Sequence, residues 1–136
     1  MNFNRIVPGT VKYLLHNERP VIRSDGTFKR DYIYVKDVVD SYVVLAERLD
    51  KKDIRGQSFN FGNDKPVTVL EIVNVIKRLM KKEKLNPKIL NTAKGEIKDQ
   101  YLDSSKARRL LSWKPKYTLE KGLKETIEWY RDFFKK

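Results

Sequence analysis

Apolar residues recur at three- and four-residue intervals along most of the chain, and turn or capping residues bound each run, so the pattern predicts a largely helical framework. Ile6 to His16 reads as a helix, with Pro8 in its first turn, Val7, Val11, Leu14 and Leu15 on one side, and Pro20 ending it. From Asp37 to about Leu49, Val39, Tyr42, Val43, Ala46 and Leu49 keep helical spacing, while Val38, Val44 and Leu45 widen the apolar band. A helix this apolar wants burial around most of its circumference. Thr68-Val69-Leu70-Glu71 is a capping box that opens a helix to about Lys82, with Ile72, Val73, Ile76, Leu79 and Met80 on its inner face. Asp103 is placed to cap a short helix through Leu111, closed by Trp113 and Pro115. Thr118 caps the last helix, where Leu119, Leu123, Ile127, Tyr130 and Phe134 repeat.

Short extended pieces fall between the helices: Pro20 to Ser24, Tyr32 to Val35, Ser58 to Gly62 and Pro87 to Asn91. The expected fold is mixed α/β, with several helices and short strands in one domain over residues 1–136. Its centre is the run from Asp25 to Asp40. There Asp25-Gly26 signals a turn, Tyr32-Ile33-Tyr34-Val35 are strand formers, and Asp37 offers a carboxylate to the free N–H groups of a helix start. Arg30 stands just before that strand, where a guanidinium on firm backbone presents a planar fork of donors. The placement suggests an anion clamp.

Arg30-Asp31-Tyr32-Ile33-Tyr34-Val35 followed by Asp37-Val38-Val39 closely resembles the substrate-domain signature of extended short-chain dehydrogenases, the nucleotide-sugar epimerases and dehydratases. Further matching pieces follow in the same order: Asn4 to Gly9, Ser58 to Gly62, Asp103 to Ala107, Leu111 to Pro115, and Ile127 to Tyr130. Within the family, Asn4 to Gly9 and Val21 to Ser24 look most like CDP-glucose 4,6-dehydratases. The resemblance covers nearly the whole chain and implies the carboxy-terminal substrate-binding part of such an enzyme, without the amino-terminal Rossmann sheet.

The resemblance also implies roles. Arg30 and Arg5 would meet the nucleotide diphosphate, Asn60 would lie near it, and Glu96 would take the ribose hydroxyls. Lys98 would approach the phosphates, where many relatives have Arg. Arg23 stands where relatives often carry an aromatic residue beside the base; a guanidinium could stack there or donate to a cytosine carbonyl. The helix from Asp37 would pack against the dinucleotide-binding sheet, and Ser58 to Gly62 would be the last strand of that sheet. Without that sheet their exposed faces should favour a homo-oligomer or a separate dinucleotide-binding polypeptide.

Composition narrows the alternatives. A formal net charge of +12 invites a nucleic-acid reading, but Lys and Arg are interleaved with Glu and Asp in every segment, and no helix-turn-helix or aromatic RNA-binding motif occurs. A basic nucleic-acid module, or a degenerate fragment that binds nothing, remains the alternative to the nucleotide-sugar reading. The chain contains no cysteine, which removes disulfides, thiolate metal sites and a cysteine nucleophile and fits a reducing compartment. With no apolar signal-peptide core and no window of membrane-spanning length, the expectation is a soluble cytoplasmic protein.

Catalytic groups are harder to find. Complete family members hold NAD on a glycine-rich turn and use a Tyr and a Lys four residues apart on a helix. No such turn occurs here, so no NAD is expected on this chain alone. Tyr32 and Lys36 have the spacing, but they lie in a strand running into a cap, where residues four apart share no helical face. His16 is the single histidine, which leaves a histidine-based triad or metal site difficult to assemble. The expectation is therefore a substrate clamp with no catalytic residue or metal, inactive by itself.

Overall fold

The computed structural model describes residues 2–135. In chain order these form α1 (Ile6–Leu15), β1 (Val21–Ile22), β2 (Lys29–Arg30), α2 (Val35–Ala46), β3 (Val67–Thr68), α3 (Val69–Leu79), β4 (Lys88–Ile89), β5 (Asp99–Gln100), α4 (Ser105–Leu111) and α5 (Leu119–Lys135). The mixed α/β expectation holds. The stripes predicted on the first, third and last long helices meet in one core of Val11, Leu14, Ile72, Ile76, Leu123 and Ile127. Burying a side chain of this size contributes about 1.5–3 kcal/mol, so these contacts are the main hold on the three-helix packing. The capping box forms as its sequence requires: the Thr68 hydroxyl accepts from Glu71 N at 3.1 Å, and Glu71 Oε2 accepts from Thr68 N at 2.6 Å. Those bonds to Thr68 hold the Glu71 carboxyl below its ordinary value, the backbone N–H contributing most.

A smaller cluster joins α4 to the middle of the chain through Ile54, Ala107, Leu111 and Trp113, with Phe61 edge-on to Trp113 at 5.0 Å between ring centres. The strands are short but matter for placement. β2 is the centre of a three-stranded sheet, antiparallel to β3 with Arg30 opposite Val67, and parallel to β5 with Arg30 opposite Gln100. β1 pairs with β4 in parallel. Arg30 thus stands on a strand held from both sides.

Several local expectations are corrected. The strand expected over Tyr32 to Val35 is absent: pairing stops at Arg30, and α2 begins at Val35 with Tyr34 at its N-cap. Asp37, expected to cap that helix, lies inside its first turn and is only 1% exposed. Its carboxylate accepts from Lys116 N at 2.8 Å and Tyr117 N at 3.2 Å, so it ties α2 to the segment before α5. A tertiary partner outcompeted the local one.

Ser58 to Gly62 runs without a pairing strand among the described residues. The short helix after Asp103 has Ser104 at its N-cap position, although Asp103 Oδ1 does accept from Ser105 N at 2.8 Å.

α2 has an inverted polarity. Asp37 and Ser41 are its buried residues, whereas Tyr42 is 71% and Val39 57% exposed. Val35 and Val43 extend the same outward apolar face. Among the described residues no helix is long and apolar enough to cross a membrane.

Candidate functional site

β2 carries Arg30 to the wall of a cleft of about 510 Å³ that also takes in the start of α1, β1 and the loop before β5. Arg5, Arg23, Arg30 and Glu96 all line it. Four of the six side chains singled out in the sequence therefore converge from positions up to 91 residues apart.

Each is positioned by identifiable local structure. Arg5 occupies the N-cap position of α1 with extended backbone. The segment before it can lie close over the helix because residue 9 is glycine: a Cβ there would come within 2.6 Å of the Phe3 carbonyl oxygen. Arg23 donates from Nη2 to the Asn4 carbonyl at 3.1 Å, which closes one end of the cleft. Its own carbonyl accepts from Thr92 N at 2.7 Å and Ala93 N at 3.0 Å, anchoring the loop that leads to Glu96.

Arg30 is the most constrained of the four. Its Nη1 donates to the carbonyls of Lys29 at 2.7 Å and Lys98 at 2.9 Å, and its guanidinium stands 5.8 Å from the centre of the Phe28 ring. Its other terminal nitrogen, Nη2, lies 3.8 Å from Glu96 Oε2. One edge of the guanidinium is fixed by the backbone, and the other meets a half-exposed carboxylate across a loose ion pair. Such a pair is worth little by itself, so either partner can exchange it for a ligand at small cost.

The remaining two predicted residues are not in this cleft. Asn60 donates from Nδ2 to the Asp103 carbonyl at 3.5 Å, a structural bond between loops. Lys98 contributes its carbonyl to Arg30 and to Lys29 N, while its ammonium lies near enough to Asp25 to help hold that carboxyl below its ordinary value, behind the larger effect of the Thr27 bonds.

Two supporting residues were not foreseen. Asp31, also on the cleft wall, accepts from Asn63 N at 3.0 Å and Asp64 N at 3.3 Å, fastening the loop after Gly62 to the end of β2. Its Oδ2 would lie 2.3 Å from a Cβ at position 62, so Gly62 is what lets the two segments approach. Phe28 supports the Arg30 guanidinium; the alternation of side chains along a strand, which sets residues 28 and 30 on one face, was the available signal. Asp31 offered none, because its partners are backbone groups more than thirty residues away.

Electrostatically the cleft suits an anion. Three guanidiniums face two carboxylates, and Asp31 is already occupied by backbone N–H groups. A larger hollow of about 790 Å³ lies beyond Tyr32, with walls mainly aromatic and aliphatic and with Glu125 and Glu128 on its rim. Its one cation, Lys36, is taken by Glu125 at 2.7 Å, so a phosphate would meet net negative charge there.

Tyr32 lies before α2 and Lys36 within it, so the two share no helical face, and the Lys36 ammonium meets Glu125, which also accepts from the Tyr34 hydroxyl at 2.8 Å. The Tyr32 hydroxyl is buried without a hydrogen bond inside the protein; burial pushes its phenol up, against the opposing pull of Arg30. His16 accepts or donates only locally, at 2.8 Å from the Lys12 carbonyl. Among the described residues no His, Cys, Asp and Glu side chains group as metal ligands.

The same residues do not fit a dinucleotide. Gly26, Gly56 and Gly95 adopt positive φ, but none follows a parallel strand and opens a helix, which is what a pyrophosphate-binding turn requires.

Comparisons with known proteins bear on the family and the fold. A family model described as GDP-mannose 4,6 dehydratase matches residues 2–126. The UDP-glucuronate 4-epimerase of Thermodesulfobacterium geofontis is 32% identical over 120 residues, covering 87% of this chain and 35% of that protein. Among solved structures, the UDP-glucose 4-epimerase of Thermotoga maritima with UDP-glucose superposes with a TM-score of 0.83 at 30% identity, over 96% of this chain and 40% of that one. The dTDP-glucose 4,6-dehydratase of Bacillus anthracis, in complex with NAD, gives 0.81 at 26% identity, over 95% and 40%. The chain spans about a third of the length of the curated relatives it matches.

Proposed function

We propose, since the chain belongs to the GDP-mannose 4,6-dehydratase family of extended short-chain dehydrogenases, the nucleotide-sugar epimerases and dehydratases, that its cleft clamps the nucleotide end of a nucleotide-sugar. Arg30 and Arg5 take the diphosphate, Glu96 accepts from the ribose hydroxyls, and Arg23 borders the base. The observation that carries this reading is the meeting of Arg30 and Glu96 at 3.8 Å in one cleft: a fixed donor edge for an anion stands beside a carboxylate for a diol. Lys98 supports the clamp through its carbonyl, which accepts from Arg30 Nη1, and Asn60 lies outside the cleft.

When bound in the complete enzyme, NAD would supply hydride chemistry, and the residues that hold it lie outside those present here. This chain binds and orients; it moves no hydride. The outward apolar face of α2 and the unpaired Ser58 to Gly62 segment are the surfaces on which a dinucleotide-binding part would seat, and they support association with that part or with a second copy. For the base, Arg23 and the Asn4 to Gly9 run favour cytidine, in keeping with a CDP-glucose 4,6-dehydratase, whereas the relatives reported above are named for UDP or dTDP sugars.

Calorimetric titration with CDP-, UDP- and dTDP-glucose tests the reading. Glu96→Ala is expected to weaken the best of these about tenfold, the usual size for one charge-assisted hydrogen bond, while leaving inorganic pyrophosphate binding unchanged or improved. Equal affinity of Glu96→Ala and the unsubstituted chain for all three sugars would remove the ribose assignment.

A further inference from the structure

A third cavity, of about 440 Å³, adjoins the larger hollow along Asn63 and Tyr117 to Leu119 and meets the clamp at Tyr32, and its walls bring together Lys65, Arg108, Lys114 and Lys116. These cations come from the loop before β3, from α4 and from the segment before α5, so the fold rather than one charged run assembles them. No carboxylate lines this cavity among the described residues. Behind the wall, Arg108 is paired with Asp64 and Lys116 with Asp40, while the buried Asp37 carboxylate is occupied by the N–H groups of residues 116 and 117. Lys65 and Lys114 have no carboxylate partner among the described residues.

Two uncommitted ammonium groups match a phosphate monoester, which carries a charge of about −1.5 to −2 near neutral pH. The volume lies within the usual range for small-molecule pockets and exceeds what a bare phosphate would fill. Tyr117, which also borders the cavity, offers an aromatic surface beside the cations.

We propose that this cavity is a second anion site, separate from the nucleotide clamp, which binds a small phosphate monoester through Lys65 and Lys114. The site shares Tyr32 with the clamp as a common wall but none of the clamp's charged residues. Its occupant is therefore free to bind whether or not a nucleotide-sugar is present, and the proposal stands or falls independently of the clamp.

The test is a titration of the full chain, followed by amide chemical shifts, with inorganic phosphate and with phenyl phosphate. Sodium chloride at matched ionic strength serves as the control. Saturable shifts around residues 65 and 114–119 are expected. Their dissociation constant should rise about tenfold or more in a Lys65→Ala, Lys114→Ala double variant and stay unchanged in Arg30→Ala. Tighter binding of phenyl phosphate would identify an organic monoester as the occupant, and equal binding free phosphate; either supports the site. The proposal is overturned if chloride reproduces the shifts, if the double variant binds phosphate as well as the unsubstituted chain, or if Arg30→Ala abolishes the signal.

Discussion

Arg30→Ala is expected to weaken nucleotide-sugar binding by about 10- to 100-fold, since charge-assisted hydrogen bonds to a phosphate contribute about 1.5–3 kcal/mol and a factor of ten corresponds to about 1.4 kcal/mol. The size follows from how the side chain is held. Two backbone carbonyls fix Nη1, and Phe28 supports the guanidinium, so its free edge reaches the ligand with little conformational freedom left to lose. Arg30→Lys should recover only part of the affinity, because an ammonium keeps the charge but cannot serve both carbonyls and a phosphate with the same fork. The thermal midpoint, measured alongside, separates a lost ligand contact from a lost fold: a large change in affinity with a small change in midpoint is the expected combination. Affinity within twofold of the unsubstituted chain would contradict the assignment.

Asp37→Ala should act in the opposite way, on stability and not on binding. Asp37 is almost completely buried, and its two oxygens serve the N–H groups of Lys116 and Tyr117. Removing the carboxylate strands both donors, and a buried donor without a partner costs about 1–3 kcal/mol. Screening at the exposed Lys116 reduces its share, so a total of about 2–4 kcal/mol is expected. That loss lowers the thermal midpoint by roughly 10 °C in a chain of this size. Asp37→Asn retains one acceptor and should fall between. Nucleotide-sugar affinity, measured where the variant is still folded, should not change, because Asp37 lies outside the cleft. A midpoint within 2 °C of the unsubstituted chain would mean that these bonds do not secure α2.

The same residue shows where sequence reading ended. An aspartate two residues past a run of strand formers is a fair local cap, but the acceptor was needed 79 residues later, and no pattern around position 37 records that. Tyr32 to Val35 likewise kept a β-forming composition without a neighbour to pair with, so tertiary supply decided against propensity. Helices whose apolar stripes close on one another, α1, α3 and α5, were legible from spacing alone, and so was the capping box at Thr68. α2 was legible from spacing as too apolar for a surface helix, and the resemblance implied the exposed apolar face that the structure shows.

At the site, Arg5, Arg23, Arg30 and Glu96 could be drawn together only through resemblance to a family, since nothing local connects residue 5 with residue 96. Asn60 and Lys98, drawn from the same resemblance, do not line the cleft in this structure. Both contribute through bonds within the protein, Asn60 to the Asp103 carbonyl and Lys98 through its own.

Backbone amide shifts of the full chain during titration with a nucleotide-sugar map its binding surface residue by residue, and so test the clamp most directly. The structure predicts saturable changes concentrated at residues 4–9, 23–24, 28–31 and 95–100, with the α2 face unaffected. Changes centred on the hollow beside Glu125 and Trp129, or none at millimolar ligand, would contradict it.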